Sequence, residues 1–404
     1  MTAEVRHDLG AARAGLPGRA AWRSRIDRVG MLVAVLSLGA LLFEPWMTFR
    51  ANRIVAGADL GLFRVYPAWQ ARIVCAAWVA SAGFALLKSP PALRLAVGAA
   101  LVAALGLLVG AAPAHLVTPD TPLARVSPGA GAWLLLFAYA ILIADAMARL
   151  SLTPSRRLIA LIVAVAAVAA LLRSGAWDGL SVMQEYAVRA DSFWQEAARH
   201  AQLVAGSVAA ALIAGVPLGI ACARSPTLRG AFLPLLNIVQ TIPSIAMYGL
   251  LMVPLGLLAA RVPLAAALGV SGIGVAPAIL ALFLYSLLPI ASSVVVGLGQ
   301  VPGQVIEAAA AMGMTRAQRL ARIELPLALP VILSGVRIVL VQNIGLAAVA
   351  ALIGGGGFGT FIFQGIGQSA TDLVLLGALP TIALALVSAV LFEAATDFAK
   401  GSRQ

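Results

Sequence analysis

The sequence predicts an all-α, polytopic membrane protein of about ten transmembrane helices. Three observations carry that expectation. Hydrophobic residues form 61% of the 404 and charged residues only 11%, against roughly 25% charged in an average soluble domain. Apolar runs long enough to cross a bilayer recur along the whole chain. Basic residues collect on alternate loops between those runs.

The candidate spans are 29–49, 71–87, 92–112, 132–148, 158–172, 203–223, 231–256, 275–298, 329–353 and 374–398. The fifth is the shortest. With the N-terminus placed inside, 18 Lys and Arg residues fall on inner segments and nine on outer ones. That bias puts both termini in the cytoplasm. The first run continues into Leu42-Phe43-Glu44-Pro45-Trp46 without a small-residue cleavage site. It therefore reads as a retained span and not as a removed signal.

The formal charge of +12 raises the question of nucleic acid. The basic residues lie singly between apolar runs and form no stripe, so the charge reads as topological and no nucleic-acid partner is expected. Cys75 and Cys222 are far apart, and His7, His115 and His200 form no metal motif. No metal site and no catalytic residue is expected. Neither lysine, Lys88 nor Lys400, follows a phosphate-binding glycine loop.

The two halves differ in character. Residues 1–175, with about five spans, are rich in Ala, Leu and Val with few polar residues inside the spans, and read as an accessory transmembrane region. Residues 176–202 mix Glu185, Arg189, Asp191, Glu196 and Arg199 with Tyr186, Phe193 and Trp194, the pattern of an outer-face linker with an interfacial helix. Residues 203–400 form the core, with five more spans that carry polar residues and helix breakers. Polar side chains at membrane depth face a path, a partner helix or the bundle interior. Asn237, Gln240, Thr241, Ser244, Gln342 and Asn343 are the candidates for a translocation path, with helix–helix bonding as the alternative. Arg337, a lone cation inside the ninth span, reads as structural.

The loop 301–326 lies between the eighth and ninth spans, on the inner side. Gln304–Met312 reads as a short alanine-rich helix. Gly313 ends it, and a second short helix carries Arg316, Arg319 and Arg322 on one face. Pro326 and Pro330 mark the start of the next span. Small side chains at Ala308 and Ala309 would let another surface approach, and the arginines would form a polar rim.

This loop resembles the E-A-A-x-x-x-G-x9-I-x-L-P loop of binding-protein-dependent ABC importer permeases. Glu307, Ala308, Ala309, Gly313, Ile323, Leu325 and Pro326 all fall on the pattern. Gly215-Val216-Pro217-Leu218-Gly219, Val239–Ser244 and Ala351–Gly359 resemble the osmoprotectant branch of that family, which imports glycine betaine and choline. The resemblance covers about residues 196–400. It implies an ABC permease core in the C-terminal half, in a bacterial cytoplasmic (inner) membrane. It also implies a separate substrate-binding protein outside, a second permease subunit, identical or related, and cytoplasmic ABC ATPase subunits that carry ATP and Mg. This chain would hold no cofactor. Glu307, Ala308, Ala309, Gly313, Arg316, Ile323, Leu325 and Pro326 would couple it to the ATPase. A secondary transporter is the rival reading, as is an importer of another small solute such as an amino acid. Carriers of the first kind keep an acid deep in the membrane, and in the core Glu393 and Asp397 lie near an inner end while Asp372 lies outside a span.

Overall fold

The computed structural model describes residues 27–53 and 55–401. The basic stretch before Asp27 lies outside the described residues. Among those described, nine helical segments are long and apolar enough to cross a membrane, Arg28–Phe43 being shorter. The described residues divide into two compact units, 27–152 with 171–180, and 153–170 with 181–401.

The first unit contains α1 (Arg28–Phe43), β1 (Met47–Arg50), β2 (Ala58–Leu60), α2 (Leu62–Val65), α3 (Ala68–Leu86), α4 (Pro91–Leu116), β3 (Arg125–Pro128) and α5 (Ala130–Leu150). Helix α1 packs against α3 and α5, and α5 against α4. Val33, Ala85, Ala138 and Leu142 meet at the centre. The three strands form an antiparallel sheet in the order β2-β1-β3, with Met47 opposite Leu60 on one side and Pro128 on the other. The all-helix expectation omitted this sheet. Its strands are three or four residues long, too short for an alternating pattern to stand out.

Charged groups of this half meet at the start of α1. Asp27 caps α1, its carboxylate accepting from the Gly30 amide at 2.8 Å. The same carboxylate pairs with Arg94 at 3.0 Å and Arg149 at 2.7 Å. Arg149 also meets Asp145 at 2.9 Å. Arg94 is 0% exposed and Asp27 3%. Burial alone would raise the Asp27 carboxyl. The Gly30 amide, Arg149 and Arg94 outweigh it and hold the group below the usual carboxylate range.

Helix α6 (Pro154–Arg173) follows, then α7 (Ser181–Val188), α8 (Ala190–Arg224), α9 (Pro226–Thr241), α10 (Ser244–Arg261), α11 (Pro263–Ala267) and α12 (Val275–Gly299). Beyond the loop helices α13 (Gly303–Ala311) and α14 (Arg316–Arg319) come α15 (Leu325–Val349), α16 (Gly359–Gly367) and α17 (Thr371–Gly401). In the second unit α12 is central, packed on α8, α15, α9 and α10. The core runs through Leu203, Ala211, Leu282, Ile290, Val294 and Val339. A Cβ at Gly219 would stand 2.8 Å from the Ala291 carbonyl oxygen, so this glycine lets α8 and α12 close on each other.

Two expected boundaries move. The linker expected over 176–202 is α7 followed by the first turns of α8, which continues unbroken to Arg224. No breaker separates the polar stretch Glu196–His200 from the apolar run after it, so one helix carries both. The expected span 231–256 is two helices, α9 and α10. Pro243 supplies no amide proton and pushes Ile242 into an extended conformation (φ −70°, ψ 127°). Pro326 stands in the first turn of α15, as expected, where a helix needs no amide from it. A wider π turn, Leu320–Glu324, joins α14 to α15.

Arg337 is not alone. It pairs with Glu393 at 3.3 Å, and Arg157 of α6 meets Glu393 at 2.8 Å and Asp397 at 3.0 Å. The role it takes in the fold is structural, through α17.

Removing Arg94 strands Asp27 without its fully buried partner. Arg94→Met should lower stability by about 3–5 kcal/mol, read as a fall in thermal unfolding temperature of the detergent-purified protein. Unchanged unfolding would show that Arg149 alone satisfies Asp27.

Candidate functional site

The loop between α12 and α15 is built from local rules. Pro302 precedes α13 and fixes its start. At the other end Gly313 takes φ +79°. Its amide donates to Ala310 O at 3.0 Å, and the Met314 amide donates to Ala309 O at 3.2 Å. These two bonds form a Schellman motif, for which a left-handed residue is required. Thr315 then opens α14 with a capping box: its hydroxyl accepts from the Gln318 amide at 3.3 Å, and the Gln318 side chain accepts from the Thr315 amide at 2.8 Å. The loop is therefore two rigid helical pieces about one glycine hinge, and space around the Gly313 Cβ position is open.

Glu307, Ala308, Gly313, Arg316 and Pro326 are exposed, while Ile323 and Leu325 are partly exposed. Glu307 is the fifth residue of α13, so its carboxylate gains little from the helix N-terminus. One expectation changes. Ala309 is buried and packs within this chain, which leaves Ala308 as the small residue open to another surface. The sequence reading also missed Glu324. It is buried and accepts from Arg224 Nη2 at 2.5 Å, tying the π turn to the end of α8. The position is variable in the loop pattern, and its partner lies a hundred residues away.

The polar candidates for a path separate into groups. Gln240 donates from Nε2 to Tyr285 O at 2.7 Å, and Tyr285 OH donates to Ile242 O at 2.6 Å. Tyr248 OH donates to Leu346 O at 3.1 Å. These bonds fasten the broken α9–α10 corner to α12 and α15. The Thr241 hydroxyl turns back to Ile238 O at 2.7 Å. Asn237 is exposed and lines a shallow groove with Arg229, Leu233 and Leu288. Ser244 and Gln342 are partly exposed. Asn343 differs from expectation: it is fully buried and donates to Ser207 and Ser286 at 2.9 Å each. It bonds α8, α12 and α15 together, so this residue serves helix packing.

The glycine run turns the chain after α15. Gly354, Gly356 and Gly357 all have positive φ, and the Gly357 amide donates to Glu196 of α8. Among the described residues no group of three or more His, Cys, Asp or Glu side chains is placed to hold a metal ion.

Apolar helices of membrane-spanning length, joined in part by an exposed two-helix loop, are those of a multi-pass membrane protein. Residues 215–398 match the binding-protein-dependent transport system inner membrane component family. Residues 27–183 match the N-terminal domain of the ABC transporter permease YehY. The carnitine transport permease protein OpuCD of Listeria monocytogenes is 39% identical over 215 residues, 53% of this chain and 84% of that one. The osmoprotectant import permease protein OsmW of Salmonella typhimurium is 43% identical over 189 residues, 47% of this chain and 83% of its own. The choline transport system permease protein OpuBD of Bacillus subtilis is 36% identical over 206 residues, 51% and 84% respectively. The chain belongs to the binding-protein-dependent transport system inner membrane component family, and it is a permease subunit.

Tyr285→Phe removes the donor that covers Ile242 O at a break in the membrane. The variant should lose about 1–3 kcal/mol, measured by thermal unfolding in detergent, and Tyr248→Phe a similar amount, because its acceptor Leu346 O lies in the last turn of α15, where the Ala350 amide donates to Ala347 O and Ala348 O instead. Equal, negligible losses would show that the corner is held by packing alone.

Proposed function

We propose that this chain forms the membrane path of an ATP-driven importer of trimethylammonium osmoprotectants such as glycine betaine, choline and carnitine. The observation that carries this reading is its kinship with permeases named for carnitine, osmoprotectant and choline transport, each matched over more than four-fifths of its length. The solute is captured by a separate binding protein outside. A second permease subunit, identical or related, completes the path, since one core of a few spans does not enclose a route alone. ATP and Mg belong to cytoplasmic ABC ATPase subunits. The chain lies in the bacterial cytoplasmic membrane with both termini inside.

In this reading α13 docks in the ATPase. Ala308 permits close approach, Glu307 and Arg316 supply the polar rim, and the Gly313 turn fixes the angle between α13 and α14. Ile323, Leu325 and Pro326 join the loop to α15. Closure of the ATPase pair moves α13, and the Glu324–Arg224 bond passes that movement to α8. Asn237, Gln240, Thr241, Ser244 and Gln342 belong to the corner and helix surface nearest the path. The rigid geometry of the loop, set by the Schellman turn and the capping box, supports this assignment.

Uptake of labelled glycine betaine, choline and carnitine by cells expressing the complete system tests the proposal. Uptake should require both the binding protein and the ATPase, and uptake that persists without them contradicts it. Gly313→Leu should insert and dimerise normally, because strain of about 1–2 kcal/mol for a left-handed side chain falls on the loop and not on the bundle. It should lose ATP-dependent uptake and co-purify poorly with the ATPase. A Gly313→Leu variant with full uptake would remove the coupling role from this loop.

A further inference from the structure

The first unit holds a cavity of about 500 Å³ that the transport reading leaves unused. That size suits a small molecule. It lies where α1 ends and the chain turns into β1, beside β2, α2 and α3. Trp46 and Trp78 line it and are 3% and 4% exposed. Their ring centroids are 4.9 Å apart. The Trp46 indole N–H donates to Tyr66 OH at 3.4 Å, and Tyr66 OH donates to Leu108 O at 2.5 Å. The indole pair is thus a fixed wall. Phe43 and Phe63 add exposed aromatic rings at the rim.

Charged groups of both signs share the lining. Asp59, in β2, is held by the Thr48 hydroxyl, which donates to it at 2.9 Å from the paired position in β1. Glu44 and Arg64 are exposed lining residues. Aromatic faces with carboxylates suit a cation that has no hydrogen to donate. A metal ion or a primary ammonium would call for converging oxygen ligands instead. Arg64 then matches an anionic group on the same ligand.

We propose that this cavity binds a small zwitterion, its trimethylammonium group against Trp46, Trp78, Glu44 and Asp59, and its anionic group at Arg64. The choice of a trimethylammonium ligand rests in part on the osmoprotectant reading above. The chemistry is shared by a free solute such as glycine betaine and by the headgroup of phosphatidylcholine.

Cys75 lines the cavity and is partly exposed, whereas Cys222 is buried. The rate at which a small thiol reagent modifies Cys75 in the full-length protein, followed by peptide mass, therefore reports occupancy without any transport measurement. In nanodiscs free of choline lipids, saturating glycine betaine should slow Cys75 modification by about threefold or more, because an occupant of the cavity shields a thiol whose reaction depends on access. Its uncharged-headed isostere tert-butylacetate, in which carbon replaces nitrogen, should leave the rate unchanged. Glu44→Gln with Asp59→Asn should abolish protection, and Arg64→Gln should abolish protection by betaine while keeping that by choline. The variants' rates without ligand, equal to the parent's, certify their fold. Protection by phosphatidylcholine nanodiscs and not by free betaine would support the site with a lipid as its ligand. Equal protection by tert-butylacetate, or none from either source, overturns the proposal. Protection of Cys75 without betaine uptake would instead count against the import reading and leave the cavity assignment standing.

Discussion

A membrane interior offers no water to an unpaired backbone group, and each such group costs several kcal/mol there. The breaks in this protein's second unit are arranged around that constraint. Pro243 frees the Ile242 carbonyl at the α9–α10 corner, and Tyr285 covers it. The corner is then held a second time by the Gln240 amide on the Tyr285 backbone. The glycine turn after α15 has its buried Gly357 amide taken by Glu196. The first unit meets the same constraint for charge: Arg94 and Asp27, both buried, are tolerated because each sits against the other. Polar residues in these helices thus have two employments, and most of those with a resolved partner are sealing or fastening the bundle.

The loop between α12 and α15 works under the opposite condition. It is exposed, and its shape comes from short-range chemistry: a proline before α13, a left-handed glycine after it, a threonine–glutamine box at α14. Such a loop holds its form without a core beneath it. Its connection to the bundle is specific, through the buried Glu324 and its Arg224 partner, and through the π turn that carries Pro326 into α15 without a break. A surface helix built this way, anchored this way, suits transmission of a push, and the coupling proposed for it draws on that stiffness.

Much of this was legible in the sequence, for physical reasons. Apolar runs and the distribution of arginine announce spans whatever their packing, so the membrane class and the helices α12 and α17 were readable from composition alone. The loop pattern was readable because Glu307, Ala308, Gly313 and Pro326 stand at fixed spacing within one local element. What escaped depends on proximity between distant segments. Asp27, Arg94 and Asp145 are unremarkable until folding brings them together, and Glu324 gains meaning only beside Arg224. The strands around Met47 and Val126 are too short to alternate visibly. Asn343 read as a polar residue in a span, and only its serine partners on two other helices show that it binds the bundle. Ala308 and Ala309 are identical residues side by side, separated in role by the helical turn that points one out and one in.

That last contrast gives the most direct measurement of the central claim, that α13 is where this permease meets its ATPase. In the complex assembled from otherwise cysteine-free subunits, a cysteine at Ala308 should form a disulfide on mild oxidation with one placed in the ATPase surface that receives α13. A cysteine at Ala309, buried against the permease itself, should not. Disulfide formation at Ala308 that responds to ATP would support the account. Failure at Ala308 across the whole of the ATPase surface, or equal reaction at Ala309, would contradict it.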